Sequence, residues 1–248
     1  MKALKKEGKR VTAGFPADRD LNKLKSDFVT LASHEFRTPL TTIQSSAYLL
    51  ENYITGENKD KVSKHISRIL NSVNTLTSML DEFLCINRIE EGKVNLKMER
   101  INLRHLIENI CSKSSDFLKT GQRIVYQHNG AQDINSDTAI LSSILNTLIS
   151  NASKYSPEYS DILITSDVGH QIHISVKDTG IGIPAEDQAY LFERFFRASN
   201  AAHIQGTGLG LHIMKLYLDM LQGTVQVNSA AGQGSEFSIT FHPPVVQA

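Results

Sequence analysis

Seven apolar residues, Val62, Ile66, Ile69, Val73, Leu76, Leu80 and Phe83, follow one another at spacings of four, three, four, three, four and three. A period of about 3.5 residues asks for helices packed side by side with interlocking side chains, not for a helix laid on a sheet. The seam therefore points the N-terminal part of the chain to a helical bundle. Upstream, Leu21, Leu24, Phe28 and Leu31, then Ile43, Ala47, Leu50 and Ile54, recur at helical spacing. They predict one long helix with a bend at Pro39, which has no backbone N–H and whose ring presses on the carbonyl of Glu35. The polar, turn-rich segment from Thr55 to Asp60 would join the two helices. A single hairpin leaves part of each seam wet, and pairing two copies into a dimeric four-helix bundle closes them.

The seam stops at Glu91-Gly92-Lys93, and beyond it helix and strand patterns alternate. Leu103 to Leu118 reads as a helix capped by Asn102, and Asp137 to Tyr155 as a helix entered through a capping residue. Ile124-Val125-Tyr126, Ile162-Leu163-Ile164, Ile172 to Val176, Thr224 to Val227 and Glu236 to Phe241 read as strands, and Leu209 to Leu221 as a further helix. The fold class is thus α plus α/β: a helical hairpin, then helices layered on a mixed sheet. The boundaries expected are a basic lead-in at 1–20, a helical domain at 21–91, a linker at 92–100 and an α/β domain at 101–248.

With 26 basic and 26 acidic side chains in 248 residues, the chain lacks the positive field that grips nucleic acid. Cys85 and Cys111 are neither paired in a CxxC motif nor flanked by ligand-spaced histidines, so no disulfide framework or zinc site is signalled. No run of apolar residues is long enough to cross a bilayer, and the opening residues lack a signal-peptide core. The expectation is a cytoplasmic chain with no membrane segment and no nucleic-acid partner.

Ser33-His34-Glu35-Phe36-Arg37-Thr38-Pro39-Leu40 places an acid beside a histidine and a hydroxyl one helical turn on, with His34 and Thr38 sharing a face. An imidazole becomes a competent nucleophile when a carboxylate orients it and takes its second ring proton. A lone His–Glu pair is more often plain helix surface. Asn151, Lys154 and Tyr155 fall on one side of their helix. An amide oxygen suits Mg²⁺, an ammonium suits phosphate and an aromatic ring covers a base, yet the trio alone is also ordinary amphipathic surface. Asp178-Thr179-Gly180-Ile181-Gly182 ends a strand with an acid and two glycines, which lets backbone approach a ligand or simply turns the chain. Gly206-Thr207-Gly208-Leu209-Gly210 opens a helix, so its amides face any anion placed there. Between these loops, Leu191 to Arg197 carries Phe192, Phe195 and Phe196 and reads as a core aromatic stripe or as a lid.

In this order the five motifs resemble the catalytic core of a two-component sensor histidine kinase. The H-box is Ser33 to Leu40, the N-box Leu148 to Ser156, the G1 box Asp178 to Gly182, the F-box Phe192 to Phe196 and the G2 box Gly206 to Gly210, so the resemblance runs from about Leu21 to about Phe241. It implies that His34 is the phosphoacceptor, Glu35 the acid that raises its nucleophilicity, and Thr38 the residue that orients water during dephosphorylation. It further implies that Asn151 holds Mg²⁺, Lys154 the phosphates, Tyr155 one face of adenine and Asp178 the adenine amino group. Gly180 and Gly182 of the G1 box would belong to the nucleotide-binding set, Gly206, Thr207, Gly208, Leu209 and Gly210 would border the triphosphate of ATP and hinge the lid, and Arg197 would reach its γ-phosphate. The fold implied for the second domain is the ATP-binding α/β sandwich shared with gyrases and heat-shock chaperones. Implied partners are a second copy of the chain and the receiver domain of a response regulator.

The chain departs from the family pattern at Thr147, where an asparagine usually stands four residues before the magnesium ligand; here Asn146 is displaced by one. An upstream sensor domain is absent from this chain, so the sequence reads as an excised or separately encoded core. Two other readings stand beside autokinase activity. One is a nucleotide-binding interaction module with weak or no kinase activity; the other, a chaperone-like or topoisomerase-like ATPase, leaves the His34 motif unexplained.

Overall fold

A computed structural model describes residues 36–51, 59–115, 117–204 and 206–242. The expected helix start at Leu21, the turn between the first two helices, and His34 and Glu35 lie outside these residues. The chain divides into two units, Met1–Leu76 and Thr77–Ala248.

In the first unit, helix α1 covers residues 36–51 and runs through Pro39, which is buried. Helix α2, Lys59–Glu90, begins in this unit and ends in the second. The residues that the first unit buries are Pro39, Ser46, His65 and Ser72, with no large aliphatic side chain among its described residues. Along α2 the sequence seam splits in two. Val62, Ile69, Leu76 and Phe83 are half-buried, whereas Ile66, Val73 and Leu80 are 45%, 44% and 52% exposed. The exposed three continue through Leu70 and Leu84 into one uncovered apolar stripe. The face turned inward carries His65, Ser72, Met79 and Ile86 at a strict seven-residue interval. Seven residues turn a helix through nearly two full revolutions, so the two stripes run parallel on neighbouring faces.

In the second unit the chain forms β1 (Glu99–Asn102), α3 (Leu103–Ser114), β2 (Arg123–Gly130), β3 (Asp133–Ser136) and α4 (Thr138–Tyr155). Then come β4 (Asp161–Val168), β5 (Ile172–Lys177), α5 (Gly210–Met220), β6 (Thr224–Ser229) and β7 (Ser235–Phe241). The main sheet has the order β2-β4-β5-β7-β6, with β2 and β4 parallel and the other pairs antiparallel. It is the mixed sheet that the alternating patterns predict. The short antiparallel pair β1–β3, which the sequence reading does not anticipate, seals the start of the domain with Ile101 opposite Ile134.

Period-two alternation decides the faces of the sheet. Ile162, Ile164, Ile172, Ile174, Val176, Ile239 and Phe241 are buried in one core with Ile144, Leu145, Leu148 and Ile149 of α4 and Met214 and Leu218 of α5. Fully burying such side chains contributes roughly 1.5–3 kcal/mol each. The opposite face is polar and cross-linked: Thr165 pairs with Ser175 at 2.8 Å and His173 with Thr240 at 3.0 Å.

Helix ends follow capping chemistry. Asn102 accepts the His105 amide at 2.9 Å to start α3. Asp137 accepts the Ile140 amide at 3.0 Å to start α4 and, through its other oxygen, the Lys97 amide at 2.7 Å, so one buried carboxylate caps the helix and fixes the connection from α2. Among the described residues no helix is long and apolar enough to cross a membrane.

Candidate nucleotide site

Helix α4 has one fully buried face, and its other face carries Thr147, Asn151, Lys154 and Tyr155, all half-buried. The C-terminal turn of α4 is clamped by residues that no motif marks. Lys119 Nζ donates to the carbonyls of Lys154 at 2.7 Å and Ser156 at 2.6 Å, and Gln122 Nε2 donates to the carbonyls of Ser153 and Pro157, both at 3.0 Å. These donors satisfy carbonyls that a helix end leaves without intrahelical partners. They also fix the position from which the Lys154 and Tyr155 side chains project.

The loop after β5 comes up against that helix end. Ile181 donates its amide to the Tyr155 carbonyl at 3.2 Å. Gly180 passes so close that a Cβ there would lie 2.5 Å from the Tyr155 carbonyl oxygen, which only glycine allows without backbone movement. Asp178, 6% exposed, turns Oδ1 to the amides of Gly180 at 2.7 Å and Ser235 at 3.2 Å. Burial pushes its pKa above the ordinary carboxylate value, and the two amide hydrogen bonds pull it part of the way back. Burial likewise raises the Tyr155 phenol, and the positive charge of Arg197 lowers it.

The glycine-rich loop closes the other side. A Cβ on Gly206 would lie 2.4 Å from Lys154 Nζ, so the ammonium rests directly on this loop. The same ammonium is 5.0 Å from the centre of the Tyr155 ring. Gly208 has φ +72° and accepts the Phe195 amide at 3.1 Å through its carbonyl; a Cβ there would strike the Phe195 carbonyl carbon at 2.6 Å. Phe195 itself has φ +62°, an uncommon conformation for a bulky residue. It is held by this strand-like contact and by packing against the cluster of Ile86, Leu209 and Ile213. Gly210 begins α5 within 3.4 Å, measured from a built Cβ, of the Thr147 methyl group. Thr147 therefore faces the loop one turn before Asn151, whereas Asn146 is exposed.

Between the two glycine loops the chain is irregular but well tied. Asp187 accepts the Ser199 amide and hydroxyl, both at 2.8 Å, and Asn200 donates to the Gly182 carbonyl at 2.9 Å. Arg197 donates to the carbonyls of Ala201 at 3.0 Å, Ala202 at 2.8 Å and Ile204. Its guanidinium thus gathers the tail of this segment.

The structure brings Asn151, Lys154, Tyr155, Asp178, Gly180, Gly182, Arg197 and the Gly206–Gly210 loop into one unit. Thr38 lies in the other unit, exposed, with its carbonyl accepting the Thr42 hydroxyl at 3.0 Å. Sequence reasoning missed Lys119 and Gln122, because a lysine and a glutamine in a loop carry no signal until the fold puts the end of α4 beside them.

Comparison with known proteins gives this arrangement its family. Residues 136–246 match the family model of the histidine kinase-, DNA gyrase B- and HSP90-like ATPases, and residues 24–92 match the His Kinase A phospho-acceptor domain. The chain belongs to the sensor histidine kinases. It is 32% identical over 228 residues to the non-motile and phage-resistance protein of Caulobacter vibrioides, covering 88% of this chain and 27% of that protein. It is 32% identical over 236 residues to the sensor protein GacS of Pseudomonas syringae, covering 91% of this chain and 26% of that protein. The chain therefore spans about a quarter of the length of these curated relatives. Among solved structures it is similar to full-length ShkA in complex with AMPPNP, with a TM-score of 0.65 and 28% identity over 86% of this chain and 45% of that one.

The geometry of Asp178 sets a stability prediction for this histidine kinase core. A raised folded-state value means that the ionised carboxyl costs stability at neutral pH, and that the cost is relieved as pH falls through that value. Asp178→Asn keeps an oxygen for both amides and removes the charge. Its melting temperature should equal or exceed wild type near about pH 7, and the advantage should shrink toward about pH 4. Thermal unfolding of both proteins across that range checks it; a marked loss of stability at neutral pH would show that the charge itself holds the loop.

Proposed function

We propose that this chain phosphorylates His34 with ATP and passes the phosphoryl group to an aspartate on the receiver domain of a response regulator, within two-component signal transduction. The observation that carries the proposal is the placement of Lys154 Nζ on Gly206 beside the Tyr155 ring, with Asp178 buried behind Gly180. A carboxylate and an aromatic ring suit adenine; an ammonium and glycine amides at a helix start suit a triphosphate. Asn151 on the same helix face would hold Mg²⁺, which prefers oxygen ligands and takes few from protein when substrate phosphates are present. Bound there, Mg²⁺ neutralises phosphate charge.

Phosphoryl transfer depends on alignment and charge neutralisation more than on covalent help. One ring nitrogen of His34 attacks the γ-phosphorus, the bond from phosphorus to the β–γ bridging oxygen breaks, and ADP leaves with the electron pair. Glu35 takes the proton of the other ring nitrogen, so the imidazole stays neutral as the P–N bond forms. In the second step a receiver aspartate attacks the same phosphorus, the P–N bond breaks, and Glu35 returns its proton to the other ring nitrogen so that a neutral imidazole leaves. Thr38 would orient water when the phosphorylated receiver is hydrolysed. In this scheme 21–91 is the dimerisation and phosphoacceptor domain, and 101–248 the ATP-binding domain. Lys154 and the Gly206–Gly210 loop hold the phosphates, and Arg197 supports the lid or reaches the γ-phosphate.

The chain acts as a homodimer in this proposal, with the stripe of Ile66, Leu70, Val73, Leu80 and Leu84 as its seam. These side chains are exposed, while among the described residues of the first unit only proline, serine and histidine are buried. Leu80→Glu places a charge in that seam at a cost of several kcal/mol and leaves the inward face untouched. Sedimentation should show a dimeric wild type and a helical but monomeric variant; a monomeric wild type, or an unchanged dimer for the variant, would contradict the seam.

His34→Gln should abolish acid-labile, base-stable labelling by γ-labelled ATP while nucleotide binding persists, because the variant deletes the nucleophile and nothing in the second unit. Retained labelling would contradict the assignment of His34, and nucleotide binding with no labelling of the wild type would contradict the kinase reading.

A further inference from the structure

One acidic side chain outside the five motifs meets the phosphate corner of the proposed site. Glu82, the sixth residue of the second unit's share of α2, accepts the Thr207 hydroxyl at 2.7 Å. Thr207 Oγ1 also accepts the Leu209 amide at 3.2 Å, so the same oxygen braces the glycine-rich loop from inside. The next residue back, Gly206, lies against Lys154 Nζ. Burial raises the Glu82 carboxyl above its ordinary value, opposed by the Thr207 hydrogen bond and by the positive charge of Lys154, which places Glu82 in the field of that ammonium. The half-buried carboxylate thus has the charge and hydrogen-bonding character of a phosphate, at the hydroxyl and ammonium where a triphosphate would sit.

We propose that Glu82 is an intramolecular stand-in for nucleotide phosphate: α2 and the triphosphate compete for Thr207 and Lys154, and the α2 contact is autoinhibitory. The inference rests on the reading of the Gly206–Gly210 loop as a phosphate-binding loop. Neighbouring contacts hold the acid in place. Ile86 packs with Leu209 and Ile213, Cys85 Sγ lies 3.0 Å from Tyr217 Oη, and Glu90 pairs with Arg194. A partly desolvated carboxylate with a hydroxyl as its direct partner is incompletely compensated, so exchange for a better-paired anion is favourable. Linkage makes the effect reciprocal: nucleotide loosens the grip of α2 on the loop by the factor by which that grip weakens nucleotide. Any signal that shifts the end of α2 then changes nucleotide affinity.

Calorimetric titration of the whole chain with Mg²⁺ and the non-hydrolysable analogue AMPPNP tests this on wild type, Glu82→Gln, Glu82→Ala and Asp81→Asn. Glu82→Gln keeps the size and an acceptor oxygen but removes the charge, and Asp81→Asn makes the same charge change at an exposed neighbour. Both Glu82 variants should bind about five- to tenfold more tightly than wild type, the low end of coupling between linked sites, with Asp81→Asn unchanged. If Glu82→Ala fails to fold, the isosteric Glu82→Gln decides alone. Equal or weaker binding by Glu82→Gln, or equal tightening by Asp81→Asn, overturns the competition while leaving the nucleotide site standing. No binding by any of the four proteins overturns the nucleotide site and the competition with it.

Discussion

Helix α4 has to satisfy two demands with one set of turns, and the second unit is arranged around that constraint. Its buried face, from Ile140 through Ala152, fills the core between the sheet and α5. Its other face presents Thr147, Asn151, Lys154 and Tyr155 to the loops. Because residues three and four apart share a face, a helix that packs the first set can aim the second in only one direction. Packing of apolar side chains against the sheet thereby fixes where an ammonium and an amide stand. The Asp137 cap and the Lys119–Gln122 clamp tie the two ends of α4 to the rest of the unit.

Around this helix the two glycine loops form walls, and the first comes so close to the α4 backbone that a side chain is excluded from its contact. Gly180 touches the backbone of Tyr155, and Gly206 touches the ammonium of Lys154. The first contact is braced by buried Asp178; the second is braced by Glu82 and Ile86 of α2 and by Phe195 of the segment between the loops. The proposed phosphate side of the site thus takes one of its partners, Glu82, from α2. A dependence of the site on the state of that helix follows from the contacts, since moving α2 removes a partner from Thr207 and exposes Leu209 and Ile213.

Much of this was legible in the sequence, for identifiable reasons. The five main strands and helices α3, α4 and α5 announce themselves through strong periodicity and clear caps at Asn102 and Asp137, and the structure extends each strand by one to five residues beyond its apolar centre. The pair β1–β3 was not legible, because four-residue strands with a single buried isoleucine each carry no alternation to read. The heptad seam was legible as a seam, but not which of its residues face inward. His65 and Ser72 are polar, so apolar spacing pointed to their neighbours Ile66 and Val73, which the structure leaves exposed. The glycine loops were visible as motifs, whereas Glu82, Lys119 and Gln122 act through contacts with residues far along the chain and have no local signature.

The central claim is that the α4 face and the two glycine loops form one nucleotide site, and amide chemical shifts followed during titration with Mg²⁺ and ATP test it most directly. The account predicts that the largest changes fall on Asn151, Lys154, Tyr155, Gly180, Gly182 and the Gly206–Gly210 loop, with the polar outer face of the sheet around Thr165, Ser175 and Thr240 unmoved. Changes confined to that outer face, or an α4 and glycine-loop set that stays still while ATP binds elsewhere, would contradict it.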